Sequence, residues 1–172
     1  MEVFKEKSIA EKYQQRKIWQ SNSVGRIPRK EKQTKLGENF CLMKSPHLIM
    51  FQHIDNGEKG FFSVANISVI PFEVKRIFWI FDGKDNRIAG EHAHKKAEQL
   101  LVALQGKISI TTEARSGEKQ EFLLDESHKA LYIPAHCWQK IEYLGNAALL
   151  CFSSMEYNSS DYIRTYNEFK NA

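Results

Sequence analysis

From His47 onward the chain is cut into short β-forming runs by turn residues, and few architectures accommodate that pattern. The runs Leu48 to Ile54, Gly60 to Val64, Phe72 to Phe81, Gln99 to Leu104 and Ile108 to Thr112 alternate with turn signals. Those signals are Asp55-Asn56-Gly57, Asp82-Gly83, Gln105-Gly106, Ser116-Gly117 and Gly145-Asn146. Short strands at regular spacing predict an all-β sandwich or barrel. The ends of the chain read differently. Ser8-Ile9-Ala10-Glu11 matches a capping box and predicts a short helix from Ser8 to Gln20. Ser21 to Gly37 is polar and basic, broken by Gly25 and Pro28, and reads as a linker. Asn158-Ser159-Ser160 offers N-caps, and Tyr162, Tyr166 and Phe169 follow at helical spacing, so a terminal helix packed on the barrel is expected. The expected division is therefore a basic extension over residues 1–46 and a β domain over residues 47–172.

Charge sharpens that division. Residues 1–45 carry eleven Lys/Arg against five Asp/Glu, whereas the remainder carries fourteen against sixteen. The basic segment could meet an anionic surface, but a solvated helix and linker is the preferred account of it. No zinc-finger spacing or aromatic-basic interleaving supports a nucleic-acid partner. No apolar run approaches the ~20 residues of a membrane span. Cys41, Cys137 and Cys151 have no CxxC spacing. With no apolar leader in Met1 to Lys7, they favour a reducing, cytoplasmic setting.

The chemistry concentrates in Gly90-Glu91-His92-Ala93-His94-Lys95-Lys96-Ala97-Glu98. Residues two apart on a strand share a face, so the two imidazoles lie together, and Glu98 joins them if the strand continues. The His-x-His-x3-Glu spacing of His92, His94 and Glu98 resembles the first metal motif of the cupin superfamily. A fourth ligand would be expected after Trp138, but Gln139 stands there, a poor ligand for a transition metal. Metal binding by His92, His94 and Glu98, proton transfer by the two histidines, and mere packing all remain open on spacing alone.

A wider resemblance points to one of them. Ile70-Pro71-Phe72-Glu73-Val74-Lys75-Arg76-Ile77-Phe78-Trp79-Ile80-Phe81 precedes the histidine motif. Leu131-Tyr132-Ile133-Pro134 with Trp138, then Met155-Glu156-Tyr157 and Asp161-Tyr162-Ile163-Arg164-Thr165-Tyr166-Asn167-Glu168-Phe169, follow it in order. Together these runs resemble the WxcM-like cupins, nucleotide-sugar 3,4-ketoisomerases that act on dTDP-4-keto-6-deoxyglucose. The resemblance covers His47 to Phe169. It implies an all-β cupin (double-stranded β-helix, or jelly-roll) barrel with a short N-terminal helical extension and a C-terminal helix. It also implies a homodimer, with exchange of an N-terminal strand. The reaction implied is metal-independent, needs no cofactor, and serves deoxysugar and polysaccharide precursor synthesis.

A C3 hydrogen beside a C4 ketone is acidic enough for an imidazole to remove, giving an enediol that collapses to the 3-keto sugar. Histidine suits this because its ordinary pKa, near ~6.5, lets it take and return protons around neutrality. On that reading His92 is the principal base and His94 its proton-handling partner. Arg76 and Lys96 are candidates for the diphosphate or the developing oxyanion. Lys59, Phe78 and Trp138 are further candidates for contact with substrate.

Three positions depart from the family pattern. Phe78 stands where a tyrosine is usual, Ala89 where an arginine precedes the glycine, and Lys59-Gly60 where Arg-Gly is usual. Lysine keeps the charge but loses the bidentate fork. These changes leave two further readings: a nucleotide-sugar-binding module without catalysis, and a metal-dependent cupin enzyme.

Overall fold

In the computed structural model, residues 44–81 and 87–171 are described. The expected helix at Ser8, the basic linker and the Asp82-Gly83 turn lie outside them. The described strands are β1 (His47–Met50), β2 (Gln52–Asp55), β3 (Phe61–Val64), β4 (Arg76–Phe81) and β5 (Arg87–His94). They continue with β6 (Gln99–Glu113), β7 (Lys119–Leu124), β8 (Lys129–Ile133), β9 (Trp138–Ser153) and β10 (Tyr162–Ile163), and helix α1 (Tyr166–Asn171) closes the set. The fold is an all-β jelly roll, as the strand pattern and the resemblance both led one to expect.

The two long strands β6 and β9 pair with each other and pass through both layers. In one layer their outer neighbours are β8, then β1, on one side and β4 on the other. In the other layer they are β7 on one side and β5, then β10, on the other. β2 and β3 form a separate hairpin.

Gln105-Gly106 and Gly145-Asn146, expected as turns between strands, are bends within β6 and β9. Gly106 has φ +71°, and a Cβ there would lie 2.6 Å from the Gly145 carbonyl oxygen. A side chain is excluded, so the two backbones cross closely and each strand turns the corner without ending.

Alternate residues face inward from both layers and meet in one apolar core. Leu101, Ile110, Leu131, Ile141, Leu149 and Cys151 are among its buried members, with Phe78, Ile80 and Ala89 packed against them. A second cluster, including Phe51, Ile70, Leu100 and Tyr132, lies on the outer face of the first layer. Ala93, Ile163 and Phe169 form a third, where α1 covers the outside of the second layer.

The C-terminal element differs from the helix expected from Asn158 onward. Asn158 caps only a single 3₁₀ turn, Ser159–Asp161. Tyr162–Ile163 then runs as a strand, and the α-helix begins at Tyr166. Backbone pairing of Tyr162 with His94 captures the chain before it can coil. Further along, Glu113 is buried and accepts hydrogen bonds from Tyr166 Oη (2.7 Å) and Lys170 Nζ (3.0 Å). Burial alone would push its pKa up. The hydrogen bonds from Tyr166 and Lys170 outweigh it and hold the carboxyl below its ordinary value. The helix is thereby fastened to the end of β6.

One irregularity decides where the histidines point. Ala89 pairs with Ile141 and Gly90 with Lys140, but His92 pairs with Gln139, leaving Glu91 as an extra residue. Gly90 and Glu91 both adopt positive φ, +85° and +49°. This bulge shifts the alternation by one, so Ala89, His92 and His94 share the inner face. A Cβ on Gly90 would meet the Gln139 carbonyl oxygen at 2.9 Å. Gly90→Ala is therefore expected to destabilise the protein by more than ~1 kcal/mol in denaturant unfolding. It should also displace the His92 ring resonances in NMR; unchanged stability and shifts would contradict the role given to the bulge.

Candidate active site

His94 is the most fully held of the site residues. It is buried, and its Nδ1 donates to Asp161 Oδ2 at 2.9 Å. Its backbone carbonyl accepts from His136 N at 2.7 Å. Asp161 in turn accepts from Lys96 N at 2.8 Å and Ala97 N at 3.3 Å, while its own carbonyl accepts from Lys95 N. The turn after β5 is thus wrapped around one carboxylate. With Nδ1–H committed to Asp161, His94 Nε2 carries a lone pair, and this buried atom has no hydrogen-bond partner.

His92 is held differently. Its Nδ1 lies 2.9 Å from the Gly90 carbonyl oxygen, which can only accept, so the proton sits on Nδ1. Its Nε2 then accepts from Gln139 Nε2 at 3.2 Å. The same Gln139 amide donates to Gln99 Oε1 at 2.8 Å. Gln139 Oε1 is buried without a partner. The two imidazoles meet edge to face, with centroids 5.0 Å apart and planes at 87°.

Tyr162 lies against both rings, at 4.4 Å from His94 and 5.1 Å from His92. Arg164 stacks over Tyr162 with its guanidinium carbon 4.5 Å from the ring centre. Arg76 lies 5.1 Å over Phe78 and 5.6 Å over Tyr157, and its buried Nε has no partner. Exposure rises from His94, which is buried, through half-buried His92 and Tyr162 to exposed Arg164 and Tyr157, which marks the open side.

Several expected site residues stand elsewhere. Glu98 does not join the histidines. The turn over Lys95–Ala97 ends the β5 alternation, so Gln99 faces inward and Glu98 outward. Glu98 accepts from Tyr132 Oη at 2.6 Å and pairs with Lys44 at 3.0 Å. Trp138, one residue from inward-facing Gln139, points to the outer face and packs on Tyr166 and Phe169 at 5.6 and 5.5 Å. It supports α1 rather than a ligand. Lys59 is exposed in the 3₁₀ turn Gly57–Lys59 between β2 and β3, and among the described residues it makes no hydrogen bond or ion pair with the histidines. The Lys96 side chain is exposed, while its backbone N–H holds Asp161.

With Asp161 already held by His94 Nδ1 and two backbone N–H groups, the further polar side chains hydrogen-bonded around His92 are Gln139 and, through it, Gln99. Two neutral amides, one directing an N–H at His92 Nε2, do not fit a transition-metal ion. Among the described residues no group of three His, Cys, Asp or Glu is placed to hold a metal. Sequence reasoning gave no site role to Asp161, Gln99 or Arg164, and it read Tyr162 as a packing residue of the terminal helix. The run Asp161-Tyr162-Ile163-Arg164 was visible as a marker of the resemblance, and that specificity was the available signal.

A jelly-roll barrel with two inward histidines, one oriented by a buried carboxylate, carries the groups that proton transfer requires. The chain belongs to the family described as FdtA: WxcM-like, C-terminal, whose model matches residues 44–172. It is 32% identical over 124 residues to a TDP-4-oxo-6-deoxy-alpha-D-glucose-3,4-oxoisomerase of Aneurinibacillus thermoaerophilus, covering 72% of this chain and 88% of that protein. It resembles the crystal structure of QdtA, a sugar 3,4-ketoisomerase of Thermoanaerobacterium thermosaccharolyticum in complex with TDP. There the TM-score is 0.69 and the identity 27%, over 76% of this chain and 95% of that one. WlaRA, a TDP-fucose-3,4-ketoisomerase of Campylobacter jejuni, matches with TM-score 0.67 and 29% identity, over 74% and 95% of the two chains.

Burial holds both imidazoles neutral. It lowers the pKa of His94 to about 4; neighbouring His92 adds to the effect, and the Asp161 hydrogen bond opposes it without overcoming it. Burial lowers His92 as well, opposed by its Gly90 hydrogen bond and aided by the Arg164 charge. Because the native pKa of His94 lies below the ordinary 6.5, the unfolded chain binds its proton first on acidification. The resulting stabilisation is complete above about pH 6.5 and is lost as pH falls towards the native pKa of about 4. NMR titration should find His94 neutral at pH 7 and protonating near pH 4. In His94→Asn, thermal stability should fall less between those pH values than in the unmodified protein. A His94 that titrates at its ordinary value would contradict this.

Proposed function

We propose that this protein interconverts the 4-keto and 3-keto forms of a TDP-linked 6-deoxyhexose, with His94 as the base. The observation that carries the proposal is the Asp161–His94 pair. It leaves a buried, unpartnered Nε2 lone pair on an imidazole that burial keeps neutral. The names of the relatives supply the substrate class. The expectation made His92 the base and His94 its partner, and this geometry favours exchanging those roles. His92 Nε2 already accepts from Gln139, whereas His94 Nε2 is uncommitted.

The steps follow from these groups. His94 Nε2 takes the C3 proton, the C–H electrons form the C3–C4 double bond, and charge collects on O4. Arg76 has a buried, unpartnered Nε–H, and its charge is felt at His94, which suits it to stabilise that oxyanion. Proton delivery to O4 gives the enediol. Loss of the O3 proton re-forms a ketone at C3 as C4 takes a proton, so no proton is gained or lost overall. His92 Nε2 suits the O3 hydroxyl once that hydroxyl displaces the Gln139 amide, from which Nε2 accepts in the free protein. Phe78, where the family usually has tyrosine, carries the Arg76 guanidinium over its ring, so that position still serves the site without a hydroxyl.

The test is incubation with TDP-4-keto-6-deoxyglucose in deuterated water, followed by NMR. Deuterium should appear at C4 of the product and C3 of recovered substrate. His94→Asn should slow exchange by ~10²–10⁴-fold, and Asp161→Asn by at least ~10-fold with little change in KM. Binding without exchange by the unmodified protein would sink the proposal, as would full exchange by His94→Asn.

A homodimer completes this reading. Among the described strands β4 pairs only with β9, and its outer residues Ile77, Trp79 and Phe81 are 52%, 61% and 72% exposed. Three large apolar side chains on one face of an edge strand suit a second copy, with strand exchange near β1 as the family resemblance implies. The unpaired, buried Cys137 and Cys151 fit a cytoplasmic setting. Light scattering should give twice the chain mass, and Trp79→Glu with Phe81→Glu should give the single chain. A monomeric unmodified protein would refute the dimer.

A further inference from the structure

Two glutamines are sealed inside the barrel beside His92: Gln99 is 4% exposed and Gln139 1%. They stand on the paired long strands β6 and β9, and Gln139 is also the register partner of His92. The Gln139 amide nitrogen carries two hydrogens and uses both. One goes to Gln99 Oε1 at 2.8 Å and the other to His92 Nε2 at 3.2 Å. The Gln139 oxygen is left buried without a partner.

This arrangement fixes which end of the Gln139 amide faces the ring. Both neighbours are acceptors: Gln99 Oε1 by its nature, and His92 Nε2 because the Gly90 carbonyl holds the proton on Nδ1. A turned amide would set its oxygen against two lone pairs and lose both hydrogen bonds. An unpartnered buried oxygen is costly, and the two N–H bonds offset it. Removing the Gln99 acceptor would take one of them away. The turned amide could then be met by a proton on His92 Nε2, giving an imidazolium that donates to Gly90 O from one nitrogen and to Gln139 Oε1 from the other. The other groups facing this ring are His94 on the same strand, Tyr162 on β10 and the Arg164 charge beyond it; Arg76 and Asp161 act at His94.

We infer that Gln99 is a positioning residue: by accepting from Gln139 it turns that amide's N–H onto His92 Nε2 and keeps His92 a neutral acceptor for a substrate hydroxyl. This rests on the isomerase reading, in which the O3 hydroxyl displaces the amide from Nε2. The displaced amide keeps its bond to Gln99, so it returns in the same orientation when the hydroxyl leaves.

The test is a double-mutant cycle on the full chain with isotope-labelled histidine: Gln99→Met, Gln139→Met and the two together, each checked for folding by circular dichroism. In the unmodified protein His92 should be the Nδ1–H tautomer, and a Gln139 side-chain amide proton should show a nuclear Overhauser contact to its ring. In Gln99→Met the His92 pKa should rise by about one unit. The acid limb of the kcat–pH profile should move up with it, and activity above that limb should recover to within a few-fold. Gln139→Met should raise the pKa less, because neither end of an amide then faces the ring. Adding Gln99→Met to Gln139→Met should change neither readout, since Gln99 acts through Gln139. An unmoved His92 titration in folded Gln99→Met, or additive effects of the two substitutions, would overturn the inference. So would the absence of the Overhauser contact in the unmodified protein, a result that needs no variant to fold. The contact and titrations as expected, without turnover, would support the amide arrangement and overturn the isomerase reading.

Discussion

One extra residue in β5 sets the chemistry of this barrel. Strand alternation is strict, so without the bulge at Gly90 and Glu91 the histidines would lie on the face that contains Ala93. That face is packed beneath Ile163 and Phe169. The bulge reverses the assignment, giving the small Ala93 to the helix contact and both imidazoles to the interior. Gly90 tolerates the conformation because it has no Cβ to strike the Gln139 carbonyl, while Glu91 accepts positive φ as the second bulged residue. The local irregularity and the functional site are a single structural event.

Asp161 then converts burial into function. A buried imidazole is neutral by desolvation, but neutrality alone leaves the tautomer unspecified. The carboxylate fixes the proton on Nδ1, and its bonds to Lys96 N and Ala97 N hold it in place. His92 reaches the same tautomer through a backbone carbonyl. The two rings thus present different environments from the same protonation pattern, one uncommitted and one paired with an amide. Such inequality distinguishes a base from its partner.

The fold was largely legible in the sequence because it depends on local periodicity. Short strands and turn residues announce a β barrel, and two histidines two apart must share a face. The face itself was not legible, because a bulge is invisible to period-two counting. The same limit misplaced Glu98: the turn over Lys95–Ala97 changes the alternation, and Gln99 inherits the inward position. Gly106 and Gly145 read as turns because glycine signals a break, and only their mutual approach shows that they permit a bend instead. Asp161 was hidden by separation, since it reaches His94 across 67 positions of chain. Trp138 was misplaced although Gln139, its neighbour, was already suspected of facing inward.

The paired glycine corner also bears on how the barrel moves. β6 and β9 pass through it unbroken, so each contributes to both layers and the layers are joined by two shared strands. The layers cannot separate like the shells of a clam without tearing two ladders at once. Slow amide exchange should therefore span both layers as one cooperative unit. At the periphery, the two-residue strand β10 is held to β5 by a short ladder, and Asp161 stands immediately before it, so local opening there would loosen the His94 contact while leaving the two long ladders intact.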